Sequence, residues 1–206
     1  MSIADYTDLA VQVSEHTGRD DFMQMFPRFV SFVENTLNRE LRVGGMENIT
    51  TLTTATDGSV ALPLNFLEMR EVKDSAGRVM EASAVTGADW QHGPYSGTPL
   101  TYYIINETLY VVPIAAATFT VRFFKKIIAL TAASNTTNWL LTDAPKLYLY
   151  GVCAEVAGWA AATGKGDIAQ AQAMAALFRT EIDQYAAQDM RKRFSNTRIT
   201  PRGVNP

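Results

Sequence analysis

The sequence is poor in the residue types that carry most metal and nucleophilic chemistry. One of its 206 residues is cysteine and two are histidine. The lone thiol, Cys153, excludes an intrachain disulfide and a cysteine-based metal cluster, and it suits a reducing compartment. His16 and His92 have no second histidine at a distance of one or two helical turns, so we interpret both as surface residues and expect no metal site.

Long apolar runs and export signals are also missing. The longest apolar stretch, residues 147–162, is interrupted by Glu155 and falls short of the roughly 20 residues that a membrane-spanning helix needs. We interpret it as a buried helix in which Glu155 requires an ionic partner, on a neighbouring helix or on a second subunit. Asp5 stands where a signal peptide would carry basic residues before an apolar block, so export by that route is not expected.

Charge is small in total and uneven along the chain. Apolar residues make up 47% of the sequence, which excludes global disorder, and the formal net charge is −3. Five basic residues and no acid follow position 190, so residues 1–190 carry −8. The five are Arg191, Lys192, Arg193, Arg198 and Arg202. An acidic body with a basic tail disfavours broad duplex-DNA binding and favours docking of the tail on an acidic or phosphate-bearing surface.

Helical periodicity occupies the first part of the chain. Apolar residues recur at helical spacing up to Gly18, which is expected to end a first helix. A second helix is predicted to start near Asp20 and Asp21, where acidic residues favour a helix start, and to restart at Pro27. Its broad apolar stripe continues until Gly44 breaks the pattern.

Helical periodicity returns after a polar loop over residues 131–142. Thr142 or Asp143 is expected to cap a helix with Pro145 in its first turn. Small residues leave one side of that helix thin enough for another helix to approach, namely Gly151, Ala154, Ala157, Gly158 and Ala161. A turn at Gly164 leads to a final helix capped by Asp167, which is expected to bury Ile168, Ala171, Met174, Ala175, Phe178, Ile182 and Tyr185.

Between residues 46 and 130 the apolar period shortens to two, which predicts antiparallel β-structure. The Asp57-Gly58 pair predicts a hairpin whose returning strand covers 59–62. A second turn is expected around 74–77, with strands on both sides of it.

The clearest strand pair joins residues 100–105 to residues 108–112 across Asn106 and Glu107. Residues 118–124 follow, with apolar and polar side chains in alternation. This alternation is typical of a strand with one buried face.

The patterns together predict an α+β fold. A helical bundle of two N-terminal and two C-terminal helices is interrupted by an antiparallel β-region and followed by an extended tail. The expected boundaries are 1–45 and 143–194 for the two halves of the bundle, 46–142 for the β-region and 195–206 for the tail. Apolar side chains among the tail's positive charges favour ordering of the tail in a partner's groove.

Two chemical alternatives stay open. Carboxylates are spread over the predicted helices and any two could meet in space, so a hydrolase with glutamates as acid and nucleophile is one of them. Glu34 and Glu155 are the residues whose substitution would test it. Aromatic residues such as Trp159 and Tyr103 could stack on nucleic acid in a packaging factor, but basic residues are not interleaved with them, so a core or subunit interface is preferred.

Several short segments in a fixed order carry a resemblance. They are NRELR at 38–42, LPLNFLE at 62–68, GTPL at 97–100, LYVVP at 109–113, FTVRFF at 119–124, NWLL at 138–141 and APKLYLYG at 144–151. Over residues 25–165 the chain resembles the head-to-tail adaptor, or head-completion, proteins of tailed bacteriophages. These segments are packing patterns and not catalytic motifs.

The resemblance implies a structural virion protein at the head-tail interface, made in the host cytoplasm, and not an enzyme. It implies a homo-oligomeric ring of about twelve copies below the portal protein. The ring would pass genomic DNA without sequence-specific binding and would present a platform for tail or nozzle proteins. No cofactor, metal or membrane is implied. In that family the carboxy-terminal segment reaches into the portal, which makes the candidate portal-binding residues here Arg191, Lys192, Arg193, Phe194, Arg198, Ile199 and Arg202.

Overall fold

A computed structural model describes residues 3–83 and 97–194 of the chain. The helices in this part are α1 Tyr6–Thr17, α2 Phe26–Glu40, α3 Trp139–Asp143, α4 Pro145–Ala162 and α5 Ile168–Phe194, with a short 3-10 turn at Gly44–Met46. The strands are β1 Glu47–Thr53, β2 Ser59–Ala61, β3 Phe66–Lys73, β4 Glu81–Ala82, β5 Thr101–Ile105, β6 Thr108–Val112 and β7 Thr118–Lys125. The predicted α+β class is confirmed.

The chain divides into a helical unit and a sheet unit. The helical unit comprises Met1–Gly45 and Ile127–Pro206, and the sheet unit comprises Met46–Lys126. Residues 127–142, which we expected in the inserted β-region, therefore group with the helices. As separate folding domains, the four expected ranges stay a prediction.

The start of α2 agrees with the predicted restart at Pro27 and differs from the predicted start near Asp20 and Asp21. As expected, α1 ends at Gly18, which adopts a left-handed φ of 65°. The second helix, however, begins at Phe26 with no side-chain cap, and Pro27 lies in its first turn, where the missing proline N–H costs nothing. The Asp21 carboxylate accepts two hydrogen bonds from the Arg19 guanidinium, at 3.0 and 2.7 Å. Asp21 is thus committed to an ion pair and not to a helix cap.

The predicted cap of α4 was also wrong. Asn138 caps the short α3, because its Oδ1 accepts a hydrogen bond from the Leu141 N–H at 2.8 Å. Thr142 then lies inside α3 and donates its hydroxyl to the Asn138 carbonyl oxygen. Helix α4 starts directly afterwards at Pro145 without a side-chain cap. A single-turn helix fills the space where the sequence pattern showed only a loop end.

The packing of α4 against its neighbours follows its small residues only in part. A Cβ added to Gly151 would lie 2.8 Å from a Val33 methyl and 3.0 Å from the Phe178 ring, so here α2 and α5 both approach closely, as predicted. A Cβ added to Gly158 would meet nothing within 4 Å. The thin side of α4 is therefore filled near its middle and open towards its end.

The predicted burial of α5 was largely wrong. Of the seven residues expected in the core, only Ile182 is buried, and Ile168 is 66% exposed. Ala175 is exposed, and the other four are half-buried. Most contacts of α5 are with α4, and the small side chains of α4 cover only a narrow strip of a 27-residue helix. An amphipathic stripe identifies a face that can be buried, but not whether the same chain covers it.

The sheet unit holds two sheets. One has the strand order β1-β7-β3 and the other β2-β6-β5-β4. The hairpin expected at Asp57-Gly58 was wrong, because β1 pairs with β7 and β2 pairs with β6. Gly58 does adopt a left-handed φ of 75°, but the turn carries the chain from one sheet to the other. The β-region is also not wholly antiparallel, since β4 pairs with β5 in parallel.

The other predicted turns are confirmed. Asn106 and Glu107 both have positive φ, 46° and 60°, which is the geometry of a two-residue hairpin turn, and they join β5 to β6. The turn after β3 closes with a bridge between Lys73 and Val79. The alternation in β7 directs three of its side chains into one core, which consists of Leu62, Val72, Met80, Tyr102, Leu109, Val111, Phe119, Val121 and Phe123.

Candidate interaction site at the end of the last helix

The last turn of α5 carries three of the predicted portal-binding residues, and they differ in environment. Arg191 and Lys192 are exposed, whereas Arg193 is half-buried. Cations in this position are favourable because the carbonyl end of a helix carries partial negative charge. The helix thus ends in a basic turn, directly before the remaining tail residues.

Arg193 is held inside the helical unit. Its Nε donates to Asp189 Oδ2 at 2.7 Å, one helical turn earlier. The same carboxylate accepts a hydrogen bond from the Gly44 N–H, with distances of 3.1 and 3.0 Å to its two oxygens. We call Gly44, Asp189 and Arg193 the Asp189 clamp. This contact was not predicted from the sequence, although Asp189 and Arg193 have the i, i+4 spacing of a helical ion pair.

Arg191 borders a polar groove of about 720 Å³ between α5 and the start of α4. Inside the groove the Lys146 ammonium lies 3.8 Å from a Glu181 carboxylate oxygen. Burial, with Asp143 and Asp189 nearby, raises the pKa of Tyr185 to about 12, so this phenol stays neutral and able to donate a hydrogen bond. The groove thus carries both signs of charge.

The structure places only part of the predicted site. Phe194 is the last residue of α5. Arg198, Ile199 and Arg202 lie outside the described residues. The structure thus brings together Arg191, Lys192 and Arg193 on one turn, and the contribution of the other four residues stays a prediction.

A second open surface lies between α4 and the first half of α5. It is an apolar groove of about 480 Å³, lined by Ala154, Gly158, Ala161, Ala162, Ile168, Ala171, Gln172 and Ala175. It carries no charged side chain, and Ile168 at its rim is mostly exposed. Exposed apolar surface of this kind is typical of protein interfaces.

Comparison with known proteins supplies the family. A family described as SU10 adaptor protein matches residues 4–202, which is nearly the whole chain. The chain belongs to the SU10 adaptor family. No curated protein matches it. The resemblance to phage head-to-tail adaptors is confirmed, and membership implies a structural adaptor role in a bacteriophage.

The structure also shows the surroundings of the other residues that were considered for catalysis or metal binding. Cys153 is fully buried, and burial raises its pKa to about 12, so it is not a nucleophile at neutral pH. The His16 ring lies 6.0 Å from the Tyr150 ring, and His92 is outside the described residues. Within residues 3–83 and 97–194 no group of three or more His, Cys, Asp or Glu side chains could hold a metal ion. In the same part, no helix is both long and apolar enough to cross a membrane.

Glu34 is buried in the helical unit, which the sequence analysis did not anticipate. Its side chain is 5% exposed, and its Oε1 accepts hydrogen bonds from the Leu130 N–H at 2.7 Å and the Tyr148 hydroxyl at 3.2 Å. Asn138 in turn donates to the Tyr148 hydroxyl oxygen at 2.8 Å. Burial raises the pKa of Glu34. Its partners are a backbone amide and a phenol, and a hydrolase would need a second carboxylate.

The environment of Glu155 differs from the prediction that this residue has an ionic partner. Its side chain is half-buried on α4, and burial raises its pKa. The ionic partner that we expected is not found among the described residues of the chain. A partner on a second subunit stays a prediction.

Trp159 has basic neighbours that the sequence did not suggest. The Arg19 guanidinium lies 6.0 Å and the Lys165 ammonium 5.8 Å from the indole ring. Both cations also approach Asp21, at 2.7 and 3.7 Å respectively. Arg19 donates a further hydrogen bond to the Lys165 carbonyl oxygen. This cluster joins the α1–α2 connection to the end of α4, and we interpret it as structural.

Proposed function

We propose that this adaptor forms a ring of about twelve copies below the portal, extends the DNA channel and provides the platform to which the tail attaches. The observation that carries the proposal is the basic turn at the end of α5, followed by a tail with two further arginines and no acid, on a chain that is otherwise acidic. Such a segment suits insertion into an acidic groove of a partner. Family membership supports the same role.

The open apolar surfaces of the helical unit support assembly of several copies. Helix α5 exposes large apolar side chains, among them Ile168 and Leu177. The groove between α4 and α5 has small side chains that let a partner approach closely. In a ring each subunit shares surface with two neighbours, so surface that is exposed in the free chain becomes buried on assembly.

The charge distribution supports passage of DNA through the ring without a firm grip. Residues 1–190 carry a net negative charge, so the body repels a duplex at long range. We expect the isolated protein to bind duplex DNA weakly, as measured by fluorescence anisotropy. Tight binding with a steep dependence on salt would favour the packaging-factor alternative.

The tail model is tested by attachment of purified variants to portal-bearing particles. Deletion of residues 195–206 should leave a folded protein, because α5 and the Asp189 clamp are retained. It should abolish co-sedimentation with the particles, because the tail is removed. The finer variant changes Arg191, Arg198 and Arg202 to Gln, which should weaken attachment about tenfold or more.

The matched control changes three exposed cations of the body to Gln, namely Arg28, Arg39 and Lys126. It alters the net charge by the same amount and should leave attachment within about twofold, since such charges contribute little individually. Equal loss in both triple variants would mean that only total charge matters. Normal attachment of the deletion variant would contradict the tail model.

A further inference from the structure

The Asp189 clamp lies within the helical unit and joins the last turn of α5 to Gly44. Gly44 lies two residues before Met46, the first residue of the sheet unit. Arg193 is the residue before Phe194, at which α5 ends. One carboxylate, on Asp189, binds both the Gly44 N–H and the Arg193 guanidinium. Two segments that are 145 residues apart in the sequence are thereby held at one point.

The clamp leaves little room for a side chain at Gly44. A Cβ built there would lie 3.2 Å from Asp189 Oδ1 and 3.4 Å from the guanidinium of Arg193. The side chains of Asp189 and Arg193 are only 18% and 26% exposed, so the pair is partly shielded from solvent. Shielding strengthens a charge-assisted hydrogen bond relative to one on the open surface.

We propose that Asp189 is a positioning residue, which fixes the point and direction at which the tail leaves the helical unit. Arg193 belongs to this clamp and does not contact the partner. Arg191, which is exposed on the same turn, is a partner-facing cation. The positioning role rests on the proposed insertion of the tail into the portal, whereas the existence of the clamp does not.

The clamp itself is tested on the free protein. In the variant Asp189→Ala, hydrogen exchange at the Gly44 amide and over residues 190–194 should accelerate about tenfold or more, because a hydrogen bond to a charged group is lost. Asp189→Asn keeps an acceptor for Gly44 but loses the charge, and should give an intermediate rate. The matched control is Asp183→Ala, which removes an exposed acid from the same helix and should leave both rates unchanged.

The direction of the last turn is measured by spin labels at two exposed positions of the helical unit, Asn35→Cys and Met190→Cys. Cys153 is buried and does not interfere. The distance distribution between the labels should broaden when Asp189→Ala is added and stay unchanged when Asp183→Ala is added. Unchanged exchange and an unchanged distribution in Asp189→Ala would overturn the clamp.

The positioning role is tested by attachment to portal-bearing particles. We expect Asp189→Ala to weaken attachment about tenfold or more, Asp189→Asn to restore part of it, and Arg193→Ala to add little to Asp189→Ala. If the clamp opens but attachment equals that of Asp183→Ala, the positioning role is wrong and the tail model stands. If deletion of residues 195–206 leaves attachment normal, the tail model and the positioning role both fail, and the exchange rates still decide whether the clamp exists.

Discussion

Strand β7 of the sheet unit and helix α5 of the helical unit differ in how completely the chain buries their apolar side chains. In the sheet unit, the inward-facing residues of β7 are at most 1% exposed, as Phe119, Val121 and Phe123 show. In the helical unit, α5 runs for 27 residues, and Ile182 is the only buried one among those whose side chains the structure describes. The inward face of β7 is thus closed by its own chain, whereas α5 leaves apolar side chains such as Ile168 and Leu177 exposed. This difference teaches that an apolar pattern reports a need for burial and not the identity of the covering surface.

The largest expected effect contrasts a side chain from each unit. Phe123→Ala should lower the free energy of unfolding by about 3–5 kcal/mol, because it leaves a cavity in a closed core. Leu177→Ala, on the open side of α5, should change it by less than about 0.5 kcal/mol, since Leu177 is 42% exposed. Urea unfolding monitored by circular dichroism measures both. Similar losses in the two variants would remove the contrast between the units.

Two glycines on α4 allow a filled site and an open site to be compared within the helical unit. Gly151→Ala should cost about 1–3 kcal/mol, because the new methyl would overlap Val33 and Phe178. Gly158→Ala meets open space and should stabilise the isolated protein by about 0.5–1 kcal/mol through helix propensity. The shift in thermal midpoint of the two variants gives the sign. Destabilisation by Gly158→Ala would mean that the end of α4 is already covered in the free protein.

The buried carboxylate of the helical unit predicts a pH dependence. Burial raises the pKa of Glu34 above the ordinary value of 4.5, so the folded state binds its proton more tightly than the unfolded state does. Stability from this group is therefore present below pH 4.5 and is lost as the pH rises through the raised pKa. In Glu34→Gln this loss should disappear. Unfolding free energies of both proteins between pH 4 and pH 8 test the sign, and parallel curves would contradict it.

The smallest effect on stability is expected at the open groove. Ile168→Asp should change the free energy of unfolding by less than about 0.5 kcal/mol, since Ile168 is 66% exposed. It should nevertheless prevent ring formation, because it would place a charge in a desolvated subunit contact. Light scattering of the adaptor bound to portal-bearing particles gives the number of copies. A full ring with Ile168→Asp would exclude this groove from the subunit contact.

Turns, helix ends and strands that depend on neighbouring residues could be predicted from the amino-acid sequence. Positive φ at Gly18 and at the Asn106-Glu107 turn follows from residues next to one another, and so does the alternation in β7. The basic end of α5 was also readable as a charge pattern. The order of the short sequence segments between residues 38 and 151 was sufficient to indicate the adaptor family.

Features that depend on contacts between residues far apart in the chain could not be predicted from the sequence and were seen only in the folded structure. The partner of β1 is β7 and not β2, because strand pairing is set by the closing of the core and not by the nearest turn. Glu34 is buried because the segment around Leu130 and Tyr148 satisfies its carboxylate, and no local pattern records that. Arg193 belongs to a clamp because its partner Asp189 also binds the N–H of Gly44, 145 residues away in the sequence. Burial and pairing are properties of the whole packed chain, so the spacing of one segment could not reveal them.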